Sequence, residues 1–156
     1  LRNPEITAGG HALLLMAEHR RQLRDEIEFV LKNGLQEHGS FYCFDASGKI
    51  EESIVGIVAG MLYGSNLVVT NKPIIAIASN DEGGLKISGR ATKDLVRGGV
   101  NLGMAFREVC TDIGDGSEGG GHAIAAGLKI EKRNLGAFLQ KLDKKLAGQA
   151  NNGRAA

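Results

Sequence analysis

The sequence predicts an α/β domain: a mixed β-sheet flanked by helices, with a connecting helix at its N-terminal end. Strand-like apolar runs at 73–78, 84–88 and 127–131 interleave with helix-like stripes at 12–32, 101–111 and 135–146. Turn chemistry at Asn80-Asp81-Glu82-Gly83 makes two of those strands neighbours, which favours a mixed sheet over a purely parallel one. No internal repeat is visible, and 156 residues suit one domain, or one domain with an appended helix.

Each element has its own warrant. Leu15, Met16, Leu23, Ile27, Val30 and Leu31 recur near helical spacing with charged residues between them, and Asn33-Gly34 supplies a stop. The preceding Leu1–Gly10, with Pro4 and a glycine pair, offers no fold of its own. Phe41–Phe44 is a short strand followed by a turn at Asp45–Gly48. Over Ser53–Tyr63 periodicity alone is ambiguous; Ser53 as N-cap and apolar positions at 54/55, 58 and 61/62 favour a helix. Asn101 caps a helix through Thr111 that turns Leu102, Ala105, Phe106, Val109 and Cys110 inward. The last helix, with Leu135, Phe138, Leu139, Leu142 and Leu146 on one stripe, is expected to be capped by Asn134, and residues 149–156 are expected to fray as a disordered tail.

Composition narrows the function. An apolar share of 42% supports an ordinary core, while 4% aromatics and no Trp leave it to Ile, Leu, Val and Ala. A net charge of +1 carries no basic excess of the kind that marks a nucleic-acid binder, so any phosphate recognition has to be local. Cys43 and Cys110 lack metal-ligand spacing and read as buried free thiols of a cytoplasmic protein. No run reaches transmembrane length, so no membrane partner is expected. His11, His19 and His38 have no partners at ligand spacing, and no metal site is expected within the chain. Asp112, Asp115 and Glu118 read as a solvated acidic loop. No nucleophile elbow, Walker A loop or dinucleotide fingerprint is present.

Two places carry possible chemistry. Gly119-Gly120-Gly121-His122 runs into Ala123-Ile-Ala-Ala-Gly127, a small apolar run that could begin a helix. At a turn-to-helix junction, bare amides would attract an anion and the imidazole would add a donor, giving a phosphate-contacting loop. The plainer reading of the glycines is a tight, closely packed turn, and His122 alone could be an N-cap, a hydrogen-bonded core histidine or a solvated side chain. The second place is Ser88-Gly89-Arg90 at a strand exit, where a guanidinium fork could clamp a phosphate or simply pair with a surface carboxylate.

Three segments together, Glu52–Leu62, Lys86-Ile-Ser-Gly-Arg-Ala91 and Gly119–Gly127, resemble in order and spacing the C-terminal DHH-associated domain of RecJ-like proteins in the DHH phosphoesterase superfamily. The match covers about residues 40–148; with Val100-Asn-Leu-Gly103 it looks most like archaeal members. The resemblance implies a two-lobed phosphodiesterase. Its N-terminal lobe carries Asp-His-His and further aspartates that bind two divalent metals, Mn or Mg, and its C-terminal lobe holds the substrate. It further implies that His122 with Gly119, Gly120 and Gly121 contacts the phosphate near the scissile bond, as a possible transition-state contact, and that Arg90, beside Ser88, grips the nucleic-acid backbone. On this resemblance 1–38 is a linker and connecting helix, 39–148 the substrate-binding domain, and the Asp-His-His lobe is absent, so the chain reads as a C-terminal fragment that is inactive alone. The expected ligand is single-stranded nucleic acid or a short oligonucleotide, held for an exonuclease or phosphodiesterase lobe. The alternatives are a scaffold binding GINS-type replication proteins and a nucleotide or tRNA-end binding module.

Overall fold

A computed structural model of the protein describes residues 8–64 and 71–155. In chain order the elements are α1 (Ala8–Asn33), β1 (Gln36–Glu37), β2 (Tyr42–Asp45), α2 (Val55–Gly64), β3 (Ile74–Ser79) and β4 (Leu85–Arg90). There follow α3 (Lys93–Arg97), α4 (Leu102–Ile113), β5 (Gly119–Gly121), β6 (Ala125–Ile130), a 3₁₀ turn (Lys132–Asn134) and α5 (Leu135–Ala155). The six strands form one sheet in the order β1-β2-β3-β4-β6-β5, with β2 and β3 parallel and every other pair antiparallel. The mixed α/β architecture is the one the sequence predicts.

The continuous apolar run Ile74-Ile-Ala-Ile-Ala78 is buried on both faces, as a central strand must be. Alternation along it feeds two cores. Ile75 and Ile77 join Ile87, Phe106, Phe138 and Leu142 beneath α4 and α5. Ile74, Ala76 and Ala78 join Leu23, Val30, Val58 and Leu62 beneath α1 and α2. Each large side chain so buried contributes about 1.5–3 kcal/mol. The Phe106 and Phe138 rings meet edge-on at 5.4 Å, which ties α4 to α5. Cys43 and Cys110 are free and buried, and burial pushes the Cys43 thiol up to about 12.

Local sequence explains the boundaries. Gly34, at φ 80°, ends α1 with its N–H on the Val30 carbonyl. Asn101 caps α4 as expected, its side chain accepting from Met104 N at 3.0 Å. Three expectations change. The helix after Ser53 begins only at Val55, because a turn closed by Ile54 and Val55 N–H on the Glu51 carbonyl precedes it. Asn134 does not cap α5; it ends the 3₁₀ turn and donates to Asp115 Oδ2 at 2.6 Å. Residues 149–155 are not a frayed tail, since α5 continues to Ala155. Gln149 explains this by exchanging two hydrogen bonds, 2.9 and 3.0 Å, with the Asn101 backbone, while Gly153 packs directly on Gly98 and Gly99. The start of α1 at Ala8 lies inside the segment expected to be unstructured; residues 1–7 of that segment lie outside the described residues.

Glu26 is an unusual feature of α1. Its side chain is buried, Gln22 donates to Oε1 at 3.3 Å, and Oε2 has no partner among the described residues. Burial holds its carboxyl above the ordinary 4.5, against the Gln22 hydrogen bond, with Glu51 adding to the rise. The folded state therefore binds this proton more tightly than the unfolded state, so the ionised group destabilises the domain increasingly as pH rises above 4.5. Glu26→Gln is expected to raise the thermal midpoint at pH 7, with the advantage closing as pH falls towards 4.5. An advantage independent of pH would refute this account.

Candidate nucleic-acid interface

Side chains alternate across a strand, so Lys86, Ser88 and Arg90 of β4 share one face, while Ile87 and Gly89 point to the α4 side. Register sets Ser88 opposite Gly127 on β6, Gly127 opposite Gly120 on β5, and Arg90 opposite Ala125. The result is a cationic strand beside a floor of almost bare backbone. Glu52, Ser53, Gly56 and Ile57, from the entry and first turn of α2, form the other wall. Between them lies a hollow of about 260 Å³.

Arg90 is the central group of this hollow. Its guanidinium lies against α2, where a Cβ on Gly56 would sit 2.5 Å from Nη2, so the close approach depends on glycine at position 56. Nη1 donates to the Gly89 carbonyl at 2.8 Å, and no carboxylate pairs with the side chain among the described residues. Burial pulls its pKa below the ordinary value. The surface ion pair considered from the sequence is therefore absent among the described residues. Behind it the half-buried Tyr63 hydroxyl lies 2.8 Å from the Lys72 carbonyl and 3.0 Å from the Arg90 carbonyl, anchoring the strand exit.

The glycine run does not open a helix. It is strand β5, and His122-Ala-Ile-Ala125 turns it directly into β6, with His122 N–H on the Ala125 carbonyl at 2.8 Å. The tip of this hairpin is seated on α4: Ala123 O accepts from Leu102 N at 3.0 Å and His122 O from Gly103 N at 3.1 Å. With Asn101 taking Met104 N, the first three amides of α4 are all used, so neither junction offers a free helix N-terminus to an anion. The glycines serve close packing. Gly119 faces Cys110 and Leu128, and Gly121 has φ 141° with Ala125 and Ala126 against it.

The structure thus brings Ser88, Arg90 and Gly120 to one hollow. Gly119 and Gly121 frame the strand and do not line it, and the exposed His122 stands at the hairpin turn outside the lining. Two residues that sequence reasoning passed over line the hollow, and a third packs beside Gly120. Lys86 lines the hollow two positions before Ser88, and Glu52 lines it from the α2 side. Arg107 reaches round the edge strand, its Cγ 3.3 Å from where a Gly120 Cβ would be. The strand period would have found Lys86; nothing in the sequence indicates Arg107. Among the described residues no group of three or more His, Cys, Asp or Glu side chains could hold a metal ion, so these residues do not fit the implied metal pair. Also among the described residues, no helix is long and apolar enough to cross a membrane.

The DHHA1 domain family matches residues 39–148. An uncharacterised protein of Methanocaldococcus jannaschii is 29% identical over 136 residues, which cover 86% of this chain but 27% of that protein. This chain therefore spans about a quarter of that curated relative. Among solved structures, the C-Ala domain of Aquifex aeolicus alanyl-tRNA synthetase superposes with a TM-score of 0.55 at 16% identity, over 72% of this chain and 97% of that one. RecJ of Thermus thermophilus in complex with Mg²⁺ gives 0.58 at 18% identity, over 88% and 19%. CDC45 of Entamoeba histolytica gives 0.63 at 15% identity, over 83% and 28%. At these identities the likeness is one of fold. The family match extends over most of the chain, and the protein belongs to the DHHA1 domain family.

Proposed function

We propose that this domain is the substrate-binding lobe of a RecJ-like single-strand exonuclease or oligonucleotide phosphodiesterase. The observation that carries the reading is Arg90, a half-buried cation without a carboxylate partner among the described residues, facing a hollow floored by glycine backbone. Keeping a cation away from water is expensive unless an anion meets it, and a planar fork matches two non-bridging phosphate oxygens. Lys86 adds a point charge and the buried Ser88 a hydroxyl donor, while Gly120 and Gly127 let a sugar-phosphate chain approach the sheet. His122, held on the hairpin by α4, serves as the contact to the phosphate undergoing cleavage. The two divalent metals, Mn or Mg, belong to the Asp-His-His lobe, where they would activate water and neutralise developing charge. In the absence of that lobe this domain binds and does not cleave.

The test is the salt dependence of binding. Each phosphate contact on a single strand contributes a slope of about −0.7 in log affinity against log salt. A labelled short oligonucleotide is expected to give a slope of about −0.7 to −2, the signature of one to three contacts in a local site. Absence of binding at low salt, combined with capture of GINS-type replication proteins, would replace this reading with the scaffold one, which the CDC45-like fold also accommodates.

A further inference from the structure

Past Arg90 the same face of the sheet carries two more cations. α2 packs over β3 and β4, while on β6 Gly127 is half-buried and Lys129 exposed, so the face opens towards the edge of the sheet. Register sets Lys129 directly opposite Lys86 on this open part. Like charges directly opposite each other across an antiparallel pair destabilise it. Little offsets that repulsion here. Lys86 has no carboxylate partner among the described residues, and Lys129 has Glu52 Oε1 at 3.7 Å, a contact too long to be a hydrogen bond. Lys86 Nζ lies 3.0 Å from where a Gly127 Cβ would be, so its ammonium leans over β6 towards the Arg90 hollow. The cations therefore step along the sheet: Arg90 level with Ala125, the Lys86 ammonium level with Gly127, and Lys129 two residues further on. Two residues of strand span about 7 Å, a step that an extended sugar-phosphate chain can follow. Beyond Lys129 the charges balance: Lys132 and Arg133 stand with Glu82 and Glu131, and Arg133 pairs with Glu131 at 2.8 Å.

We infer that this stepped row is a groove for a second phosphodiester, with Arg90 on one phosphate of a bound strand and Lys86 and Lys129 together on the next. The inference rests on the phosphate reading of the Arg90 hollow and extends it to the path of the strand, which runs along β6 away from the hairpin tip. A phosphate between the two ammonium groups would turn their mutual repulsion into attraction. Lys129 would exchange a long contact with Glu52 for a charge-assisted hydrogen bond. Glycine at 120 and 127 keeps the floor beneath the chain low, since no side chain rises there. The groove reads the spacing of phosphates and no base, so it adds affinity with length and no sequence preference.

The experiment uses the full chain and two single-stranded probes of one base, a dinucleotide and a tetranucleotide, neither with a terminal phosphate. The native protein is expected to bind the tetranucleotide about tenfold more tightly than the dinucleotide. Lys129→Ala is expected to weaken the tetranucleotide about five- to tenfold and to reduce its salt slope by about 0.7, while changing the dinucleotide less than about twofold. Lys144→Ala removes the same charge from α5, on the other side of the sheet, and is expected to change either probe by less than about twofold. Combining Glu52→Gln with Lys129→Ala separates contact from field: the tetranucleotide stays weak if Lys129 touches its phosphate. Return to native affinity in that double variant overturns the groove, because the loss then came from an unpaired Glu52. Equal losses for both probes in Lys129→Ala, or no loss in either, overturn it too and leave the Arg90 hollow standing where Arg90→Ala still weakens the dinucleotide. Failure of both probes to bind removes the phosphate reading together with this one.

Discussion

Arg90→Ala is expected to weaken binding of a short single strand about 10- to 100-fold while changing the stability of the domain by less than about 1 kcal/mol. Both halves follow from the same observation. Hydrogen bonds from a charged donor contribute about 1.5–3 kcal/mol, and this fork has no carboxylate partner among the described residues competing for it. The folded domain gains little from the same side chain: one hydrogen bond to Gly89 and some aliphatic packing, offset by the desolvation that lowers its pKa. Arg90→Lys keeps the charge and loses the fork, so intermediate affinity with the salt dependence retained is expected. His122→Ala is expected to affect equilibrium binding less, because its side chain is exposed and outside the hollow; its effect belongs to turnover by a protein that also carries the Asp-His-His lobe. Titration of a labelled oligonucleotide, alongside thermal unfolding, separates these outcomes. Native affinity in Arg90→Ala would end the phosphate assignment. A large loss of stability would show that the guanidinium serves the fold.

How much of this is legible in the sequence depends on whether side chains carry the information. The runs at Ile74–Ala78 and Leu85–Ser88, the cap at Asn101 and the stripe from Leu135 to Leu146 are legible because apolar spacing and one cap residue determine them. Ser88 and Arg90 are legible as a pair on a strand exit. The glycine-histidine segment is not, since glycine and alanine have no periodicity to separate a strand from the start of a helix. Its pairing with β6 and its seat on α4 are set by backbone hydrogen bonds that leave no trace in residue type. The same holds for α5: polar residues after Leu146 resemble a tail until Gln149 is seen exchanging hydrogen bonds with Asn101. Lys86 shares the strand face of Ser88 and Arg90 and is legible from that period, whereas nothing local to Glu52 shows that a neighbouring strand closes a hollow against it.

Gly103→Ala is expected to harm the fold, although it would improve the helix taken alone. Alanine in place of glycine favours a helix by about 0.8–1.0 kcal/mol. At position 103, however, the added carbon would run into the Gly121 carbonyl and crowd the His122 oxygen, which are backbone atoms of the hairpin and cannot rotate away. The hairpin would have to lift off α4, loosening the hydrogen bonds from Leu102 and Gly103 to Ala123 and His122. Overpacking of this kind, with two hydrogen bonds strained, gives an expected net destabilisation of about 2–4 kcal/mol. Gly148→Ala in α5, where a Cβ meets nothing within 4 Å, makes the contrast: there the helix term acts alone and about 0.5–1 kcal/mol of stabilisation is expected. Opposite signs for one chemical change would show that the β5–β6 hairpin is held in place from α4. Oligonucleotide affinity should also fall in Gly103→Ala, because Gly120 and Gly127 move with the hairpin and form the floor of the hollow. Equal stability of the two variants would mean that the hairpin does not rest on α4 in solution, and the position argued for His122 would go with it.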